Sequence, residues 1–207
     1  MRILTIGTDG HAVMWPLSSE IYNPPAALPS SAPPGLSWQF PTKVHQNASK
    51  ATVSHYLDEN TTLIVSGGDD GSLAFLLACT TSSQTSSSSA VAYDSPPVLV
   101  SRAHASAVTA CTLVTYQSRI LIVTSGNDEW VRLWEVTVQD TANGANGQAI
   151  VGREDRVTAQ RLTKVKTNVA DVSTMAVLDV DDDSARVLIC GVGMEVIRIQ
   201  GDSSIGI

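Results

Sequence analysis

Aromatic residues make up only 5% of this 207-residue chain, and just two of them are phenylalanines. The 43% hydrophobic content must therefore build its core mainly from Val, Leu, Ala and Ile. Of these, Val and Ile suit a pleated, half-buried surface. Cations are also scarce: 13 Lys and Arg face 20 Asp and Glu, a net charge of −7. That excludes broad phosphate-backbone binding, which draws its affinity from many Lys and Arg contacts, and leaves room for one local basic strip. No DNA partner is expected. Cys79, Cys111 and Cys190 are odd in number and widely spaced, which excludes a disulfide framework and fits reduced thiols in an intracellular protein. No apolar run approaches the ~20 residues of a membrane span, so no membrane partner is expected. The start, MRILTIGTDG, lacks the charged-then-apolar pattern of a signal peptide. A cytoplasmic location follows as the expectation, and the sequons at Asn47 and Asn60 are expected to stay unmodified.

What the chain does have is repetition, which decides architecture before any local feature. Residues 45–77 read HQNASKATVSHYLDENTTLIVSGGDDGSLAFLL, and residues 104–136 read HASAVTACTLVTYQSRILIVTSGNDEWVRLWEV. Each holds a His, an apolar alternation, an apolar run ending in Ser-Gly, an Asp turn, and an aromatic six residues after the Asp. Gly7, Gly67, Gly126 and Gly191 each follow an apolar run and are spaced 60, 59 and 65 residues apart. Asp9, Asp69, Asp128 and Gly193 sit two residues on; Trp15, Phe75, Trp134 and Ile199 sit six beyond those.

The periodic segments are of strand length, and turn residues separate them in pairs, as in hairpins. Strand pairs are predicted at 3–6 and 12–15, 62–65 and 73–77, 120–124 and 131–136, and 187–190 and 195–199. Opening strands are predicted at 52–56, 108–113 and 174–178. Fourth strands are predicted at 97–101 and 156–162, with a weaker one near 36–40. Three low-complexity inserts interrupt the units, at 16–37, 80–97 and 140–148. The first holds six prolines, and residues 80–89 are nine Ser or Thr in ten. Each insert follows a third strand, so all should decorate one face and leave the other short-looped.

The order His, Ser-Gly, Asp, Trp resembles the signature of the WD-repeat family. The resemblance implies an all-β fold of propeller blades spanning residues 1–207: an incomplete first unit, two full units and a divergent last one, forming part of a larger propeller. It also implies a structural hydrogen-bond tetrad of His104, Ser125, Asp128 and Trp134. His45, Ser66 and Asp69 form a partial tetrad, because Phe75 lacks the indole N–H. In the last unit Asp171 lies near the His position and Gly193 and Ile199 replace Asp and Trp, so no tetrad is expected. Ser, His and Asp also invite a hydrolase reading, but no Gly-x-Ser-x-Gly elbow exists and the trio recurs at repeat spacing. No metal site is indicated: His45 and His55 have no cysteine pair nearby, and Asp179 with Asp181–Asp183 matches no calcium loop. No nucleotide-binding glycine pattern is present, and no cofactor is expected.

One basic strip remains, Arg153, Arg156, Arg161, Lys164 and Lys166, as a candidate contact for RNA or an acidic partner. On strand parity Arg156 and Lys164 share a face that excludes Arg161.

The ending, VADVSTMAVLDVDDDSARVLICGVGMEVIRI, resembles the C-terminal end of the large WD-repeat partner subunit of the tRNA 2′-O-ribose methyltransferase that acts at the anticodon wobble nucleotide. The resemblance rests on Ala170-Asp171 and on Gly191-Val192-Gly193-Met194-Glu195-Val196. It implies a non-catalytic regulatory scaffold whose protein partner, the methyltransferase, carries the S-adenosylmethionine site, with tRNA contacted indirectly. The rival expectation is a generic WD-repeat adaptor, such as a ubiquitin-ligase substrate receptor.

Overall fold

Period-two alternation and paired turn signals lead to strands throughout. The computed structural model describes residues 2–16, 42–81, 90–93, 96–139, 156–202 and 204–206, and among these all regular structure is β. The strands are β1 (Arg2–Ile6), β2 (His11–Pro16), β3 (Thr42–Lys43), β4 (Ser49–Tyr56), β5 (Thr61–Gly68), β6 (Leu73–Thr81), β7 (Ala90–Tyr93), β8 (Val98–Val100), β9 (Val108–Tyr116), β10 (Arg119–Gly126), β11 (Trp130–Val138), β12 (Val157–Lys166), β13 (Ala170–Val180), β14 (Ser184–Gln200) and β15 (Ile205–Gly206). They form four successive antiparallel sheets: β1-β2-β3; β4-β5-β6, with β7 and β8 both on β6; β9-β10-β11-β12; and β13-β14-β15. Among the described residues no helix is long and apolar enough to cross a membrane.

The sheets stack through apolar faces. Alternation sends Ile64, Ala74, Leu76 and Ala78 of the second sheet towards the first, against Ala12 and Val44. Leu63, Val65, Leu73, Phe75 and Leu77 point the other way and meet Ile122, Trp134, Val136 and Val157 of the third sheet. The third sheet's opposite face, with Leu121, Val123, Val131 and Leu133, closes on Val172, Val187, Ile189, Ile197 and Ile199 of the fourth. The second and third sheets are thus buried on both faces. A one-residue slip in either would carry a whole apolar set to the wrong junction.

Most expected strands are present, several of them longer than predicted. The fourth strand expected at 97–101 is β8, and the one expected at 156–162 extends to Lys166 as β12. The strand near 36–40 lies outside the described residues, as do 17–37, 82–89 and 140–148 of the inserts. The stretch 80–97 is not all insert, since Thr80 and Thr81 finish β6 and β7 pairs with that end of it. The two strands expected at 187–190 and 195–199 lie inside one 17-residue element, β14. Its early part pairs with β13 and its end with β15.

Gly10 and Gly71 occupy the same turn position, at φ 75° and 74°. A Cβ on Gly71 would lie 2.6 Å from the His104 carbonyl oxygen. Gly71→Ala is therefore expected to cost about 1–3 kcal/mol through left-handed backbone strain and that clash. Urea unfolding measures it, and an unchanged midpoint would contradict the turn geometry.

Candidate functional site

The polar residues singled out by the repeat converge where each turn between the second and third strands of a sheet meets the neighbouring loops. In the third sheet Asp128 sits in the β10–β11 turn and accepts from the backbone N–H of Ala105 at 3.0 Å and of Trp130 at 3.2 Å. Its other contacts are His104 Nδ1 at 3.0 Å and Arg132 Nη1 at 2.8 Å. His104 Nε2 lies 2.9 Å from Thr124 Oγ1, which also accepts the Trp134 indole N–H at 2.9 Å. One hydrogen-bonding scheme uses the indole, hydroxyl and imidazole donors together. The indole donates to Thr124, the Thr124 hydroxyl to Nε2, and Nδ1–H to Asp128. This leaves a neutral imidazole, in keeping with a side chain that is 0% exposed.

Thr124, not Ser125, is therefore the hydroxyl of this network. Successive strand residues face opposite ways, and cross-strand pairing puts Thr124 opposite Arg132 and Ser125 opposite Val131. The Ser125 hydroxyl is buried with no hydrogen-bond partner. Arg132, which no feature of the repeat marks, is buried with its guanidinium against Asp128 and His104. Nothing in the spacing separates adjacent Thr and Ser; only strand parity measured from Trp134 could have done so.

The second sheet repeats the construction one residue out of the expected alignment. His45 Nε2 lies 2.9 Å from Ser66 Oγ, as expected. The turn carboxylate, however, is Asp70, which accepts from the Gln46 N–H at 2.8 Å. Asp69 instead lies 4.0 Å from Lys50. Ser72 Oγ bridges, 2.9 Å from His45 Nδ1 and donating to Asp70 Oδ1. The run Ser-Gly-Gly-Asp-Asp offers two registers, and Phe75 favours the wrong one. In the structure Leu76 faces the first sheet, as Trp134 faces the second, while Phe75 faces the third. The missing indole donor has a substitute, because Ser49 Oγ lies 2.8 Å from Ser66 Oγ. The relay Ser49, Ser66, His45, Ser72, Asp70 is complete without an aromatic.

The fourth sheet keeps the carboxylate and loses the imidazole. Thr167 holds the His position: its N–H donates to the Glu129 carbonyl, as His104 N–H does to Gly71 and His45 N–H to Gly10. Glu195 fills the Asp role, accepting from Thr167 Oγ1 at 2.5 Å, Asn168 N–H at 3.2 Å and Asn168 Nδ2 at 3.0 Å. Asp171, expected near the His position, is instead a β13 residue at φ 48°.

Burial pushes both imidazoles below their ordinary 6.5, against the pull of Asp70 on His45 and of Asp128 on His104. Burial would raise Asp128, but hydrogen bonds from His104, Ala105 and Arg132 outweigh it and hold the carboxyl at about 2. Burial likewise opposes, and hydrogen bonds from Ser72 and Gln46 N–H reverse, the shift of Asp70, which lies below 3.8.

In the basic strip Arg153 lies outside the described residues. Arg156 Nε donates to the Gln139 carbonyl at 3.3 Å. A bulge at Leu162 shifts the register, so that Arg161, Lys164 and Lys166 pair with Trp134, Arg132 and Trp130. Those partners share one face of β11, so Arg161 joins Lys164, contrary to simple parity. Lys164 Nζ sits 4.3 Å over the Trp130 ring, and Lys166 Nζ lies 3.2 Å from Glu129. Among the described residues no three His, Cys, Asp or Glu side chains converge as a metal site; Asp179 is taken by Arg186.

Two measurements test the networks. Thr124→Val should destabilise by about 2–3 kcal/mol, because it strands two buried polar groups, whereas Ser125→Ala should change stability by under about 0.5 kcal/mol. Equal effects in urea unfolding would overturn the assignment of Thr124. The pH dependence follows from the lowered imidazoles. Between the folded value and 6.5 the unfolded chain binds more protons, so stability should fall as pH drops below 6.5. The Asp128 contribution is present above 3.8 and disappears as the pH falls through it towards about 2. A melting temperature flat from about pH 7.5 to about pH 4.5 would contradict neutral buried histidines. Compared with known proteins, the chain matches no family model and no curated protein.

Proposed function

We propose that these sheets are blades of a WD-repeat β-propeller and that the chain serves as a non-catalytic cytoplasmic scaffold. Its role is to support 2′-O-ribose methylation of the tRNA anticodon wobble nucleotide by contact with the methyltransferase. The observation that carries the propeller reading is one latch repeated from sheet to sheet. A carboxylate of each of the last three sheets, from the turn at Asp70 and Asp128 and from within β14 at Glu195, reaches back to the loop before its own sheet, at Gln46, Ala105 and Asn168. The residue after Asp9, Asp70 and Asp128 offers its carbonyl to the loop before the next sheet. A role without catalysis is supported by the imidazole contacts. The hydroxyl at His104 belongs to Thr124 and is already committed to Trp134, while Ser125 makes no contact a nucleophile would need. The methylation role rests on the resemblance of the terminal unit, Ala170-Asp171 and Gly191 to Val196. Glu195 in that motif is the carboxylate that secures the last junction.

The Asp70 and Asp128 turns and the inter-sheet loops they bond share one end of the sheets, which is the proposed docking surface for the methyltransferase. Affinity purification of the tagged chain should recover a tRNA 2′-O-ribose methyltransferase, and depletion should lower wobble-ribose methylation in tRNA digests. Deleting residues 82–89 should leave that recovery unchanged. Recovery of ubiquitin-ligase subunits with tRNA methylation intact would replace this reading with the generic adaptor.

A further inference from the structure

The cations of the third sheet acquire a common face only through the fold. β12 is the outermost strand of its sheet, and among the described residues no strand pairs its outer edge. The bulge at Leu162 puts Arg161, Lys164 and Lys166 on one face, opposite Trp134, Arg132 and Trp130. All three are exposed. Lys164 is steadied by the indole beneath it, at a distance typical of cation–π attraction. Glu129 already places a carboxylate 3.2 Å from Lys166, so this face accepts carboxylates.

We infer that the outer edge of β12 is a docking strand for an extended acidic peptide of a protein partner, added as a further strand with its carboxylates on the Arg161–Lys164–Lys166 face. An unpaired edge supplies backbone donors and acceptors to an incoming strand. Side chains on one face of any strand recur about every 6.8 Å, two residues apart. A peptide with acids at alternate positions therefore matches Lys164 and Lys166 in register, and directly opposed unlike charges stabilise a strand pair. The same cations explain the choice of partner. Lysines along an edge repel another copy of that edge, and the repulsion that blocks self-association becomes attraction for an acidic strand. A nucleic acid fits less well. Its phosphates form no strand hydrogen bonds, and the chain's net charge of −7 opposes a polyanion once it leaves this short strip. The inference is independent of which enzyme the scaffold serves.

The experiment is fluorescence anisotropy of the full chain with labelled peptides of about nine residues. One peptide carries acids at alternate positions. A second has the same composition with the acids contiguous. A third is the alternating peptide with N-methylated backbone amides, and a uridine oligonucleotide of matched charge is the fourth probe. The alternating peptide should bind best. It should lose at least about tenfold in affinity on N-methylation, a change that leaves the protein untouched, and again with Lys164→Glu/Lys166→Glu. Equal binding of the N-methylated or contiguous peptide, tighter binding of the oligonucleotide, or no binding of the alternating peptide would each overturn it. Failure here with the methyltransferase still recovered would leave the scaffold role standing.

Discussion

The stack of sheets depends on where one carboxylate in each of the last three sheets sends its hydrogen bonds. A tight turn between two strands leaves backbone groups unpaired, and an inter-sheet loop leaves more. Asp70, Asp128 and Glu195 satisfy the loop ahead of their own sheet, and the carbonyls of Gly10, Gly71 and Glu129 satisfy the loop ahead of the next. The turns of the second and third sheets are thereby tied to both neighbouring loops. Apolar packing between sheets is strong but non-directional; the carboxylate bonds fix which loop each turn meets. The chain can vary the rest of the network as long as this bond survives, and in the last sheet Thr167 replaces the imidazole while the carboxylate remains.

The buried histidines illustrate how a polar network is made safe in an apolar junction. A charged imidazole there would be costly to desolvate, and burial holds both rings neutral. A neutral ring has one donor and one acceptor, and each must be met. In the third sheet the acceptor takes a Thr hydroxyl anchored by an indole. In the second sheet it takes a Ser hydroxyl backed by Ser49, and the donor reaches Asp70 through Ser72. Two different sets of side chains satisfy the same ring. The buried Arg132 beside Asp128 adds a cation whose charge the carboxylate balances.

Much of the architecture is legible in the sequence because strand alternation, Gly-Asp turns and repeat spacing are local signals. His45, His104, Asp128 and Trp134 stand out for the same reason, and they lie where the repeat places them. The errors share one cause. Ser125 for Thr124, Asp69 for Asp70 and the parity of Arg161 are each one-residue ambiguities, and a strand reverses the direction of its side chains with every residue. Ser-Gly-Gly-Asp-Asp admits two registers, adjacent Thr and Ser are chemically alike, and the bulge at Leu162 leaves no composition signal. Asp171 for Thr167 is a larger displacement, arising because the final unit offers no His to anchor the alignment.

The sequence by itself determined that this protein is a succession of β units, the first three with an Asp-bearing turn between two of their strands, since periodicity and turn chemistry act over a few residues. Only the tertiary structure decided which hydroxyl and which carboxylate serve each histidine, that Ser49 stands in for an indole, and that three cations share the outer strand's face. Those choices depend on cross-strand pairing and bulges, where residues far apart in the chain set each other's direction.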